Sequence, residues 1–178
     1  TGLGSGQTWS ASAALPAWRE RRLFLRTSAG STQRLASFGA LPAADQALLG
    51  TAEVLDYLRG DRSRERASGG TLRDRDSALG DFVDSSPAYD RHTDTLYAGS
   101  NGGMLHAFRA HDGVELFGII PRAVAARLPA LARADYSHQY FVDGAIAITP
   151  RTSAGGSGGR SFLHALLGRG GKGLFSID

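Results

Sequence analysis

Apolar and polar positions alternate over Arg22 to Thr27 (RLFLRT), with Leu23 and Leu25 on one side and Phe24 and Arg26 on the other. A turn-like Ser28 to Ser31 and a second extended stretch, Gln33 to Phe38, complete the pattern of a β-hairpin. The period changes to three-to-four over Leu41 to Leu58, where Leu48, Leu49, Val54, Leu55 and Leu58 recur after Pro42. Gly50 interrupts this run and Thr51 restarts it ahead of Glu53, so two short helices are predicted within 42–59. Arg59 falls in the last turn, where a cation suits the helix dipole, and Gly60 stands where a left-handed C-cap is wanted.

Asp61 to Asp76 (DRSRERASGGTLRDRD) has no apolar period and is predicted to be an exposed loop. From Leu79 onward, short apolar runs alternate with Gly, Asn and Asp. Strands are expected at Asp81 to Val83, Thr95 to Gly99, Met104 to Phe108, Val114 to Ile120, Tyr140 to Val142, Ala145 to Ile148, Ser161 to Leu167 and Gly173 to Ile177. Pro121 to Ala134 (PRAVAARLPALARA) reads as a helical insertion broken at Pro129. Thr1 to Ser12 is small and polar apart from Trp9, and is read as an arm that needs a surface to dock on.

The segment Leu96 to Phe117 (LYAGSNGGMLHAFRAHDGVELF) predicts two hairpins in series. Asn101, Gly102 and Gly103 are expected to supply the positive φ values of the first turn, and His111, Asp112 and Gly113 those of the second. Three consecutive antiparallel strands follow.

Composition narrows the function classes. At 178 residues and 42% hydrophobic content the chain can bury one core, and 24 glycines with 8% aromatics favour short strands and tight turns over a helical bundle. The 20 Lys plus Arg are interspersed with 17 Asp plus Glu, for a net charge of +3, which gives no nucleic-acid footprint. There is no Cys, so no disulfide framework or thiolate metal site is possible. No run of 18 apolar residues occurs, so no membrane-spanning segment is expected. A chain that starts at Thr1, without a Met or a charged leader, suits a processed protein or a fragment.

The strand Leu105, Ala107, Phe108, followed by Gly113 and Phe117, resembles the repeat of quinoprotein-type β-propellers. Arg109 stands where that repeat usually has Asp, and Phe117 where it usually has Trp. A narrower resemblance, to the PilY-type family of type IV pilus assembly and adhesion proteins, rests on six ordered blocks. They are YLRGDRS (57–63), LGDFVDSSPAY (79–89), the NGGMLHAF hairpin, IPRAVAARLPAL (120–131), YSHQYFVDG (136–144) and GRGGKGLFSID (168–178). The resemblance implies a mainly β fold, with antiparallel meander blades of a partial propeller over 79–178. Residues 1–41 would be an arm and hairpin, and 42–78 short helices and a charged loop. A piece of a propeller exposes unpaired strand edges.

Such a protein would be a non-enzymatic factor in pilus biogenesis and adhesion, with minor pilins, the pilus machinery or a host receptor as partners. It would lie in the periplasm, at the outer membrane or at the pilus tip of a Gram-negative bacterium. A quinone-dependent dehydrogenase uses the same repeat but needs a central cofactor stacked on Trp. The two Trp here, Trp9 and Trp18, both precede the propeller-like region. An envelope-assembly scaffold also shares the repeat, but not YLRGDRS or IPRAVAARLPAL.

Arg59-Gly60-Asp61 is the integrin-recognition tripeptide and the adhesion candidate, although a helix terminus explains the same residues. Calcium is expected of the family through an Asp-rich loop. The nearest match, Asp74-x-Asp76, has Ala78 in the third ligand place and reads as a solvated charge run, so a calcium loop is expected beyond Asp178. The five His have no metal-ligand spacing; His106 is expected in the core or at an interface, and His138 to hydrogen-bond a loop. Neither Ser85-Ser86 nor Ser137-His138 has a nucleophile-elbow context. GGSGG (155–159) and GRGGKG (168–173) lack phosphate-loop spacing and read as turns.

Overall fold

A computed structural model describes residues 9–27, 29–149 and 161–178. The chain is mainly β. Strands β1 (Leu23–Arg26) and β2 (Thr32–Arg34) form the expected amino-terminal hairpin. Helices α1 (Ala43–Leu49) and α2 (Ala52–Arg59) follow, separated at Gly50 as the sequence predicts. Strands β3 (Ala88–Asp90), β4 (Thr95–Ser100), β5 (Met104–Arg109) and β6 (Glu115–Ile120) form an antiparallel meander. Beyond the short helix α3 (Arg122–Ala125) and a 3-10 turn (Leu128–Ala132) come β7 (Ile146–Ile148), β8 (Leu163–Leu166) and β9 (Leu174–Ile177).

These strands make two sheets, a six-stranded one in the order β2-β1-β6-β5-β4-β3 and a three-stranded one in the order β7-β8-β9. Neither closes on itself among the described residues. The amino-terminal hairpin joins the larger sheet because β1 runs parallel to β6, with Leu23 opposite Gly118 and Leu25 opposite Ile120. No local pattern announces that pairing. The helices cover the sheet, and Leu23, Leu25, Leu55, Leu105, Ile120 and Leu128 are wholly buried between the layers.

Several expectations are corrected. Asp81 to Val83 and Tyr140 to Val142 are not strands. Their backbone groups bond to a turn and to side chains rather than to a ladder: Asp81 O accepts from Asn101 N, and Phe141 N donates to Asn101 Oδ1. Asp84 N, just beyond the first stretch, likewise donates to Asp143 Oδ1. The helical insertion is interrupted as expected, but ahead of Pro129: α3 ends at Ala125, and Pro129 sits at the start of a separate 3-10 turn, where its missing N–H costs nothing. In the two hairpin turns only Gly103 and Gly113 have positive φ; Asn101, Gly102, His111 and Asp112 do not.

The charged stretch 61–76 is not wholly exposed either. Glu65 is 1% exposed and bonds both Arg62 Nε and Arg75 Nε. Arg75 also stacks on the Tyr57 ring, 3.5 Å from its centroid, and donates to Tyr57 O and Asp61 O at the end of α2. A charge run on the outside of the sequence pattern thus folds back as the cap of a helix C-terminus. The Gly-rich stretch 155–159 lies outside the described residues. Of the expected arm, residues 1–8 also lie outside the described residues; Trp9 Nε1 donates to Ala110 O at 2.9 Å.

Candidate functional site

Two polar networks, one buried and one reaching from buried Asn101 to exposed Asp81 and His138, flank a groove of about 900 Å³ whose walls include Tyr57, Arg73, Asp81, Asn101, His106 and His138. The first network starts from a β-bulge. His106 lies opposite Gly118, and the β5–β6 register slips between Ala107 and Phe108, so that Phe108 faces Glu115 and Ala107 faces Phe117. Without the extra residue, Glu115 would fall on the opposite face from His106; the bulge re-aims it inward. At Gly118 the close approach is to Leu23: a Cβ there would come within 2.7 Å of Leu23 Cδ2, while Glu115 Oε1 and His106 Nδ1 would be in ordinary contact at 3.6 Å.

In this geometry Arg21 Nε donates to Glu115 Oε2 at 2.6 Å and Arg21 Nη2 to Oε1 at 2.9 Å. The third guanidinium nitrogen, Nη1, donates to Arg59 O at 2.8 Å, so one side chain ties the β6 carboxylate to the end of α2. His106 Nδ1 is 2.8 Å from Glu115 Oε1, and His106 Nε2 is 2.9 Å from Ser100 Oγ. Ser100 is the diagonal neighbour of His106 across the β4–β5 pair. The ionised carboxylate only accepts, so the Nδ1 proton points to Glu115, while Ser100 Oγ lies between His106 Nε2 and Met104 O, the latter 3.4 Å away. Burial pushes the Glu115 carboxyl up, but the hydrogen bonds from Arg21 and His106 outweigh it and hold it at about 2.

Ser100, His106 and Glu115 therefore stand in the order of an acyl-transfer relay. They lack its access. Ser100 is 0% and Glu115 5% exposed, and Glu115 is already matched by a guanidinium. The arrangement joins β4, β5, β6 and α2, with three hydrogen bonds on the carboxylate and both imidazole nitrogens engaged.

The second network is centred on Asn101, 1% exposed in the β4–β5 turn. Its Nδ2 donates to Asp81 Oδ2 at 3.0 Å and to Asp143 Oδ1 at 3.3 Å, while its Oδ1 accepts from Phe141 N at 3.0 Å. His138 Nε2 is 2.9 Å from Asp81 Oδ2. Burial raises the Asp81 carboxyl, yet the bonds from Asn101 and His138 win and leave it below the ordinary carboxylate range. The turn, the 81–84 loop and the 138–143 loop are thereby fastened to one another.

Sequence-predicted residues fall as follows. His106 is in the core as expected, 2% exposed. His138 bonds a loop as expected, through the Asp81 side chain. Gly60 is the left-handed C-cap of α2, with φ 114°. Arg59 is 6% exposed, with Nη1 on Asp56 and the guanidinium over the Trp18 ring. Asp61 uses both carboxylate oxygens on Ser63, accepting from its N at 3.0 Å and its Oγ at 2.9 Å. Asp74 accepts from Ala67 N and pairs with Arg66. Sequence reasoning missed Arg21, Ser100, Glu115 and the side-chain role of Asn101. The one available signal was Gly118, whose place in a β-rich run marks a close approach.

This architecture defines a mainly β domain whose buried polar groups lock strands and loops in place. No protein-family model matches the chain, and no solved structure matches it. It is 37% identical over 72% of its length to a type IV pilus biogenesis factor PilY1 homolog of Xylella fastidiosa (strain Temecula1), covering 13% of that protein. It is 31% identical over its whole length to type IV pilus biogenesis factor PilY1 of Pseudomonas aeruginosa (strain UCBPP-PA14), covering 19% of that protein. To PilY1 of Pseudomonas aeruginosa (strain PAK) it is 34% identical over 68% of its length. The chain belongs to the PilY1 family of type IV pilus biogenesis factors. It spans less than a fifth of the length of these relatives.

Proposed function

We propose that this segment is a piece of the carboxy-terminal β-propeller of a non-enzymatic type IV pilus biogenesis factor, and that its loop surface binds pilus components. The observation that carries the reading is the whole-length similarity to a protein named for pilus biogenesis. A four-stranded antiparallel meander, β3–β6, and a second antiparallel sheet, β7–β9, support that reading. The sealed Ser100–His106–Glu115 relay supports a structural rather than a catalytic use of these residues. Minor pilins or the assembly machinery would be its partners, at the outer membrane or the pilus tip. No helix among the described residues is long and apolar enough to cross a membrane. Calcium would bind elsewhere in a longer protein.

The test is an in-frame deletion of this segment in the full-length protein, with surface pili counted by electron microscopy. Loss of pili is expected; normal piliation would remove the proposal. Adhesion belongs to the same reading. Recognition of Arg59-Gly60-Asp61 by an integrin requires the Arg59 guanidinium to leave Trp18 and Asp56. A receptor-coated surface that retains the wild type but releases Asp61→Glu would support that role, and equal retention would exclude it.

A further inference from the structure

Asn101 is the only asparagine in the 178-residue sequence, and Gly102 and Gly103 follow it. An asparagine before glycine carries its own nucleophile, because the next backbone nitrogen has no neighbouring side chain to keep it from the amide carbon. In the fold that approach is blocked. Asn101 is 1% exposed, and its amide is held at three points: Nδ2 donates to Asp81 Oδ2 and to Asp143 Oδ1, and Oδ1 accepts from Phe141 N. The backbone is pinned on both sides as well, since Asn101 N donates to Asp81 O at 2.9 Å and Gly103 N to Ser100 O at 3.1 Å. Gly80 closes over the turn. A Cβ on it would come within 1.9 Å of Gly102 N, so the Gly80 backbone lies directly against the nitrogen that would have to move.

We propose that Asn101-Gly102 is a latent modification site, inert while the 81–84 and 138–143 loops are fastened to the turn and converted once they open. In the opened turn Gly102 N attacks Asn101 Cγ. The new N–C bond forms as the Cγ–Nδ2 bond breaks, and Nδ2 leaves as ammonia, taking up the Gly102 amide proton. Water then opens the cyclic imide at either carbonyl, giving aspartate or, with the main chain rerouted through Cγ, isoaspartate. Neither product restores the clasp. An ionised carboxylate only accepts, so it meets Asp81 and Asp143 with no donor and adds a third negative charge between them. Isoaspartate also adds a methylene to the main chain between Ser100 and Met104, which pair in the β4–β5 register. Opening of the loops is thereby made permanent, because chemistry on the opened state withdraws it from the equilibrium. This inference is independent of the pilus reading.

The test keeps the full-length protein folded or in urea at mildly alkaline pH and follows the mass and elution of the tryptic peptide 92–109, released by cleavage after Arg91 and Arg109. In urea Asn101 should convert, with isoaspartate among the products. In the folded protein conversion should be slower by about a hundredfold or more, the factor by which closed turns outnumber open ones. Asp81→Ala removes one acceptor of the amide and should speed conversion in the folded protein about tenfold, leaving the rate in urea unchanged. In the wild type, conversion and amide exchange at Phe141 should rise together as urea is added below the unfolding transition. Equal rates in folded and unfolded protein, or no conversion in urea, would overturn the proposal. So would a folded Asp81→Ala variant that converts at the wild-type rate, or wild-type conversion that follows global unfolding and not exchange at Phe141.

Discussion

Glu115 Oε1 lies 2.8 Å from His106 Nδ1 while Glu115 Oε2 lies 2.6 Å from Arg21 Nε, so one buried carboxylate holds an imidazole and a guanidinium together. Charges taken out of water are tolerated only when paired and hydrogen-bonded, and here the pair closes on itself. Glu115→Ala leaves Arg21 unmatched in the core and should destabilise the domain by about 3–5 kcal/mol. Replacing both residues together, as Arg21→Met with Glu115→Leu, should recover much of that loss. Urea unfolding of the two variants measures the difference.

The same carboxylate predicts a pH dependence. Its folded value of about 2 lies below its ordinary value of 4.5, so its contribution is present in full above about pH 4.5 and is lost as pH falls towards 2. The gap corresponds to about 3 kcal/mol. The stability difference between wild type and Glu115→Gln, measured by urea titration, should therefore shrink steadily between pH 4.5 and 2. A difference that stays constant over that range would show that the carboxylate is not held ionised by Arg21 and His106.

Asn101 separates two carboxylates and donates to both. Asn101→Asp removes those donors and places a third negative charge between Asp81 and Asp143, at a cost of about 2–4 kcal/mol. Because the turn anchors the 81–84 and 138–143 loops, amide exchange at Asp84 and Phe141 should accelerate more than exchange in β1.

At Gly113 two requirements coincide. Its φ is +75°, and a Cβ would come within 2.2 Å of the Trp9 ring. Gly113→Ala should cost about 1–3 kcal/mol and displace Trp9 from Ala110, which a red shift in tryptophan emission would report.

What the sequence made legible was local. Alternation over 22–27, the three-to-four period over 42–58 and the two Gly-bearing turns between Leu96 and Phe117 each correspond to an observed element, because each is set by neighbours in the chain. The parallel β1–β6 pairing was not legible: Leu23 and Gly118 are far apart in sequence, and nothing local specifies the partner of an alternating strand. Asp81 to Val83 and Tyr140 to Val142 looked like strands for the opposite reason. Their apolar residues are strand-like, but Asn101 and Asp143 capture backbone groups in and beside them.

The candidate site was the least legible part. His106 could be placed in the core from its strand, but its partner Glu115 lies on the wrong parity until the bulge is known. Arg21 and Arg75 read as ordinary surface charge, since an arginine in a charged run gives no sign that it will cap a helix. The family blocks were legible because several short ordered motifs together carry more information than any one hairpin.

Ser100, His106, Glu115 and Arg21 hold the fold together, and in the proposed function that fold serves pilus biogenesis. The most direct measurement counts surface pili, by electron microscopy, on cells whose full-length protein carries Ser100→Ala or Glu115→Ala, with protein levels measured alongside. Ser100→Ala costs about 1–2 kcal/mol and should leave piliation intact, whereas Glu115→Ala, at about 3–5 kcal/mol, should lower the level of folded protein in the cell and reduce piliation sharply. Loss of pili in a stably folded Ser100→Ala variant, or normal piliation when Glu115→Ala has depleted the folded protein, would overturn the structural role of these residues.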